Sequence, residues 1–124
     1  QQDKQEVKEK KQSYSDENLK WVKKGMVNVT KEGGTAAFLG RKSNYQMASK
    51  TGTAQLFGLK IDEEYNEDIL PDKLKDHALF ITYAPAIDPE IVIAVIVENG
   101  GHGGSVAGPI AKKVLDAYLV NKKL

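Results

Sequence analysis

The chain has 124 residues, with 18 Lys and Arg against 17 Asp and Glu, for a formal net charge of +1. That length allows one domain with a modest core. So even a balance gives no field that would draw nucleic acid or an acidic membrane surface, and the lack of cysteine excludes a disulfide framework and a thiolate zinc site.

No apolar run reaches the length of a membrane span, and no signal peptide opens the chain. It begins at Gln1 rather than at methionine, so we expect a piece of a longer polypeptide. Gln1 to Gln12 are Gln, Lys, Glu and Asp around a single Val7, too polar to offset their ordering entropy. We read residues 1–14 as a polar mobile segment or loop remnant, with a solvated helix paired at i,i+4 as the competing form. Residues 15–124 form the folded portion.

A helix follows. Ser15 or Asp16 can cap it, Asp16 and Glu17 suit its positive end, and Leu19, Val22, Met26 and Val29 recur at helical spacing. Gly25 inside it costs roughly 1 kcal/mol relative to Ala unless another element packs closely there. Thr30 to Glu32 form its frayed last turn and Gly33-Gly34 ends it, with Thr35 to Gly40 as a connector and Arg41 to Asn44 as a polar turn.

From Tyr45 to about Leu59 the chain reads as one long strand. Tyr45, Met47, Ser49, Thr51 and Thr53 share one face; Gln46, Ala48, Lys50, Gly52 and Ala54 share the other. Leu59 to Asp76 is charged and irregular, with a turn of helix expected near Asp72 to Lys75. Ala78 to Ala84 and Ile91 to Val97 are β-branched strand runs joined by the turn-rich Pro85 to Glu90. The second run is apolar on both faces, which places it mid-sheet with cover on each side. After the glycine-rich Asn99 to Gly104, Pro109 opens a helix to about Leu119. Its stripe of Ile110, Val114, Leu115, Tyr118 and Leu119 is suited to lie on the sheet. The order is an α+β arrangement: an antiparallel sheet of the long strand plus a hairpin, with N-terminal and C-terminal helices packed on it. No internal repeat is evident.

Lys50-Thr51-Gly52-Thr53 is the sharpest chemical feature. A lysine, two hydroxyls and a glycine on one strand can form an anion site. The threonines sit two apart, so both hydroxyls emerge on one face and can hold a carboxylate. Gly52 admits a ligand or another backbone close to the strand. If the strand is exposed on one edge, an unpaired N–H near Thr53 can stabilise a developing oxyanion, whose loss typically costs about 10²–10³ in rate. Lys50 has the opposite parity and must reach round, or sit on a twisted edge, to serve the same site. Taken alone, so short a tripeptide fits an ordinary strand with a surface lysine better than an anion site.

The flanking residues give the motif a context. K-T-G is one of three signatures of penicillin-binding proteins and serine β-lactamases. Here it lies within Tyr45-Gln46-Met47-Ala48-Ser49-Lys50-Thr51-Gly52-Thr53-Ala54-Gln55, followed by Leu56-Phe57-Gly58-Leu59-Lys60. Asp76-His77-Ala78-Leu79-Phe80 then leads into Tyr83-Ala84-Pro85, and Val97-Glu98-Asn99-Gly100-Gly101-His102-Gly103-Gly104 precedes Ala107-Gly108-Pro109-Ile110. In this order they resemble the C-terminal part of the transpeptidase domain of class B penicillin-binding proteins, and more closely the elongation-type penicillin-binding protein 2 group. The likeness covers about Ser15 to Leu119.

The resemblance implies a fragment of the penicillin-binding/serine β-lactamase-like fold. It implies a D,D-transpeptidase of cell-wall elongation that cross-links peptidoglycan stem peptides through an acyl-serine and binds β-lactam antibiotics. In that family the lysine matching Lys50 lines the active site and hydrogen-bonds the S-x-N serine. The hydroxyls matching Thr51 and Thr53 bind the carboxylate, and the backbone N–H matching Thr53 supplies half the oxyanion hole. Gly52, Gln55 and His102 are further cleft-lining candidates. The resemblance also implies no cofactor, elongation-machinery membrane proteins as partners, and the periplasmic side of the inner membrane as location.

The family needs two further motifs, S-x-x-K and S-x-N. None of Ser13, Ser15, Ser43, Ser49 and Ser105 has lysine three places on or asparagine two places on. We therefore expect this chain alone to be inactive, with the nucleophile upstream.

The other features carry weaker chemistry. The Gly100 to Gly104 loop matches neither the P-loop nor the dinucleotide fingerprint, and we read it as a flexible loop near the cleft. His102 has only His77 as a second imidazole and no carboxylate at ligand spacing, so no metal site is expected. Asp62, Glu63, Glu64, Glu67 and Asp68 read as a solvated loop, and Trp21 and Tyr118 as core or interface residues rather than stacking platforms. Two other functions compete with the enzyme. One is a non-catalytic interaction or sensor module, suggested by the charged segments; the other is a serine β-lactamase, which fits the flanking residues less well.

Overall fold

The computed structural model describes residues 14–41, 43–56 and 71–120. The polar stretch up to residue 13 and most of the charged connection, residues 57–70, lie outside the described residues.

Helix α1 spans Asp16–Asn28, and the Ser15 hydroxyl caps it by accepting the Asn18 N–H at 3.2 Å. It ends a turn earlier than the sequence pattern suggests. Buried Thr30 is the reason, because its hydroxyl donates to the Met47 carbonyl at 3.3 Å and so pins the chain to the neighbouring strand. Gly33 then turns the chain with φ +79°, which favours glycine. The expected connector instead holds a one-turn helix, α2 (Ala37–Gly40), because Leu39 and the preceding Ala36 are drawn into the core.

The sheet has three antiparallel strands in the order β1-β2-β3: Ala48–Ala54, His77–Ala84 and Ile91–Val97. A short 3₁₀ turn, Asp72–Leu74, lies where a helical turn was expected before β2. β1 is shorter than the expected strand, since Asn44 and Tyr45 bend before it and the ladder stops at Ala54. Register pairs Thr51 with Phe80 and Phe80 with Val95, so Ser49, Thr51, Thr53, Ala78, Phe80, Thr82, Ile93 and Val95 share one face. Ser49 and Thr82, directly opposite and fully buried, share a hydrogen bond of 2.9 Å.

One expectation is not met among the described residues. β3 lies at the edge of this sheet and β2 at its centre. Among the described residues the apolar run of β3 is covered on one face only, leaving Val92 76% and Ile96 66% exposed.

A wide π turn, Gly103–Ala107, leads into helix α3, Gly108–Leu119. Their packing on the Phe80 face forms the core of Ala36, Leu39, Ala78, Phe80, Ala107 and Ala111. The expected stripe of α3 is rotated: Gly108, Ala111 and Leu115 are buried, whereas Ile110, Val114 and Tyr118 face outward. Close approach explains it. A Cβ on Gly108 would stand 2.7 Å from Leu39 Cδ1 and 3.4 Å from the Phe80 ring, so α3 crosses close to both side chains at this point. Trp21 is also exposed, with Lys24 Nζ 4.9 Å from its ring centre, and lies outside the core that the described residues form.

Candidate active-site strand and cleft

Alternation along β1 sends Thr51 and Thr53 to the face that carries the core, at the end where α3 no longer covers it. There the two threonines open into a cleft of about 310 Å³, lined also by Thr35, Phe38, His102, Gly103, Gly104 and Ser105. The far wall is the start of the π turn. It lies so close to the strand that a Cβ on Gly103 would collide with the carbonyl oxygens of Gly52 and Leu79. A Cβ on Gly104 would stand 3.1 Å from the Thr35 carbonyl oxygen. Glycine at 103 is therefore a packing requirement and at 104 a tight fit, and together they bring the turn's backbone up to the threonines.

Five hydrogen bonds fix that wall. The Gly101 N–H donates to the Asp76 carbonyl at 2.8 Å, and the Asp76 carboxylate, itself buried, accepts the Leu56 N–H at 3.2 Å. Asn99, in the left-handed region at φ 54°, donates its backbone N–H to His77 Nδ1 at 2.9 Å. Its side-chain amide donates to the Lys73 and Lys75 carbonyls. Together they hold the exit of β1, the entry of β2 and the exit of β3 in one place, and the turn that carries His102 starts from there.

The structure brings some of the expected residues together and separates others. Thr51, Thr53 and His102 share the cleft. Lys50 does not: it projects from the opposite face, exposed, and its ammonium donates to the Thr51 carbonyl at 2.6 Å. It thus curls back along its own strand. Gln55 lies exposed beyond the end of β1 and is not among the lining residues. Gly52 admits close backbone, that of Gly103, while on its other side an added Cβ would meet Leu79 Cβ at 3.2 Å. Among the described residues, no group of three or more His, Asp or Glu side chains is placed to hold a metal ion.

Sequence reasoning missed Thr35, Phe38 and Ser105. Thr35 had a signal in the Gly33-Gly34 pair, which turns the chain back toward β1; its hydroxyl stands 3.3 Å from that of Thr51. The other end of β1 is anchored to α3 where Tyr45 donates its hydroxyl to Asp116 at 2.8 Å, with Lys112 paired to the same carboxylate. Burial chiefly, and then the Asp116 acceptor and its charge, push the Tyr45 hydroxyl well above the usual phenol range.

Comparison with known proteins agrees with this architecture. Residues 1–116 match the family model described as the penicillin binding protein transpeptidase domain. The peptidoglycan D,D-transpeptidase MrdA of Haemophilus influenzae is 48% identical over 104 residues, which are 83% of this chain and 16% of that protein. PBP2 of Pseudomonas aeruginosa, a solved structure, is 40% identical with a TM-score of 0.67, over 83% of this chain and 20% of the other. A complex between PBP2 and MreC from Helicobacter pylori is 27% identical with a TM-score of 0.66, over 84% of this chain and 18% of the other. The chain thus spans about a sixth of the length of the curated relative it matches. It belongs to the penicillin-binding protein transpeptidase domain family.

Proposed function

We propose that this chain supplies the K-T-G strand of a peptidoglycan D,D-transpeptidase that works through an acyl-serine intermediate. One observation carries the reading: Thr51 and Thr53 project side by side into a cleft whose opposite wall is backbone held close by Gly103 and Gly104. Two hydroxyl donors at strand spacing suit the two oxygens of a carboxylate, such as that of a stem peptide or a β-lactam. On this reading the Thr53 N–H, on an edge strand, contributes half of an oxyanion hole. Lys50 acts from the strand's edge, which it reaches from the far face as its contact with the Thr51 carbonyl already does. The serine nucleophile and the S-x-N motif are not in this sequence, so the reaction requires a polypeptide that also carries them.

The relatives extend the proposal. The kinship with MrdA and PBP2 supports a role in cell-wall elongation, and the PBP2–MreC complex supports elongation-machinery proteins as partners. A periplasmic position at the inner membrane fits that role; among the described residues no helix is long and apolar enough to cross a membrane. The test is covalent labelling by a fluorescent penicillin. A polypeptide joining this chain to its S-x-x-K and S-x-N motifs labels, and this chain alone does not. An intact joined polypeptide that failed to acylate would overturn the proposal.

A further inference from the structure

The hydroxyl of Thr35 stands 3.3 Å from that of Thr51, across the mouth of the cleft. Neither threonine owes this meeting to sequence proximity. Thr35 is held by the turn after α1, where the Ala36 N–H donates to the Val29 carbonyl at 2.9 Å and the Ala37 N–H to the Gly34 carbonyl at 3.2 Å. From the other side the Gly104 backbone closes on both residues, since a Cβ there would stand 3.1 Å from the Thr35 carbonyl oxygen and 3.4 Å from Thr51 Cγ2. Three separate segments therefore fix the spacing of the two hydroxyls.

A threonine hydroxyl has one proton to donate and two lone pairs to accept with. To hold a carboxylate, Thr51 must point its proton into the cleft. If it spent that proton on Thr35, the bond to the anion would be lost. We infer that Thr35 is a positioning residue for the carboxylate site: it donates to Thr51, and Thr51 donates onward to the ligand's carboxylate. In such a relay each bond polarises the next, so the Thr51 proton is both aimed and strengthened as a donor. This inference rests on the reading of Thr51 and Thr53 as a carboxylate site, and it adds a third hydroxyl that does not touch the ligand itself.

The test compares second-order acylation rates for benzylpenicillin and its methyl ester, in the polypeptide that joins this chain to its serine nucleophile. A neutral hydrogen bond contributes about 0.5–1.5 kcal/mol net, so Thr35→Val is expected to slow reaction with the acid about three- to tenfold. Reaction with the ester, which has no carboxylate to hold, keeps its rate. Thr35→Ser retains the hydroxyl and restores the acid's rate. An equal loss for acid and ester would show a merely structural role and overturn the inference, as would no loss at all. A parent polypeptide that reacts no faster with the acid than with the ester would overturn the carboxylate site, and Thr35's role with it.

Discussion

The two faces of the sheet are built from the same three strands, yet they differ in almost everything that matters for function. On one, Phe80, Ala78 and Val95 pack beneath α2, the π turn and α3, and where that cover ends Thr51 and Thr53 open into the cleft. On the other, Ile81, Val92 and Ile96 are 48%, 76% and 66% exposed, and Lys50 rises from the same surface. Apolar content does not distinguish the faces, since β3 is apolar on both. Serine and threonine do: Ser49, Thr51, Thr53 and Thr82 all lie on the covered face, with Gly103, Gly104 and Gly108 packed against it. Small residues let backbone approach backbone, and hydroxyls need partners once buried. The face that carries the core also carries the candidate chemistry.

This contrast can be broken by mutation. Phe80→Ala removes a fully buried ring at the centre of the covered face and is expected to cost about 3–5 kcal/mol in denaturant unfolding of this chain. Ile96→Ala or Val92→Ala on the bare face should shift stability by no more than about 0.5 kcal/mol. Equal losses on the two faces would mean that the bare face is packed in solution.

Ser49→Ala strands the buried Thr82 hydroxyl and is expected to cost about 1–3 kcal/mol. Adding Thr82→Val should cost less than the two single changes summed, because the pair is then removed together. Strict additivity, measured as a double-mutant cycle, would show that the bond has no energetic content.

Tyr45→Phe, at the anchor to α3, is expected to cost about 1 kcal/mol near neutrality. Its pH dependence has a definite sign. The folded state raises the Tyr45 pKa, so the stabilisation is fully present below the unfolded phenol value near pH 10 and is lost as pH climbs above it. Stability of the parent chain should therefore fall in alkali more steeply than that of Tyr45→Phe; parallel curves would remove Tyr45 from the account.

Much of this arrangement was legible in the residues. Apolar, β-branched runs located β2 and β3, Ser15 marked the start of α1, and the order of motifs around Lys50 to Thr53 pointed to the family. Alternation alone put both threonines on one face and Lys50 on the other, as found. What was hidden depended on tertiary contact. The early end of α1 follows from a bond between Thr30 and Met47, distant in sequence. The rotated face of α3 follows from how close Gly108 comes to Leu39, and no helical periodicity encodes that. Thr35 and Ser105 joined the cleft because Gly33-Gly34 and Gly103-Gly104 fold remote segments onto β1. The mid-sheet placement of β3 is not met among the described residues, because an apolar strand signals a demand for cover that they supply on one side.

On the function proposed above, the threonine pair of β1 captures a carboxylate. The most direct measurement is the second-order rate of acylation by benzylpenicillin in the polypeptide joining this chain to its serine nucleophile, with and without Thr51→Val plus Thr53→Val. Hydrogen bonds to a charged group contribute about 1.5–3 kcal/mol each, so the double change should slow acylation by about a hundredfold or more while the fold stays intact. A doubly substituted protein that acylates at the parent rate would contradict the account.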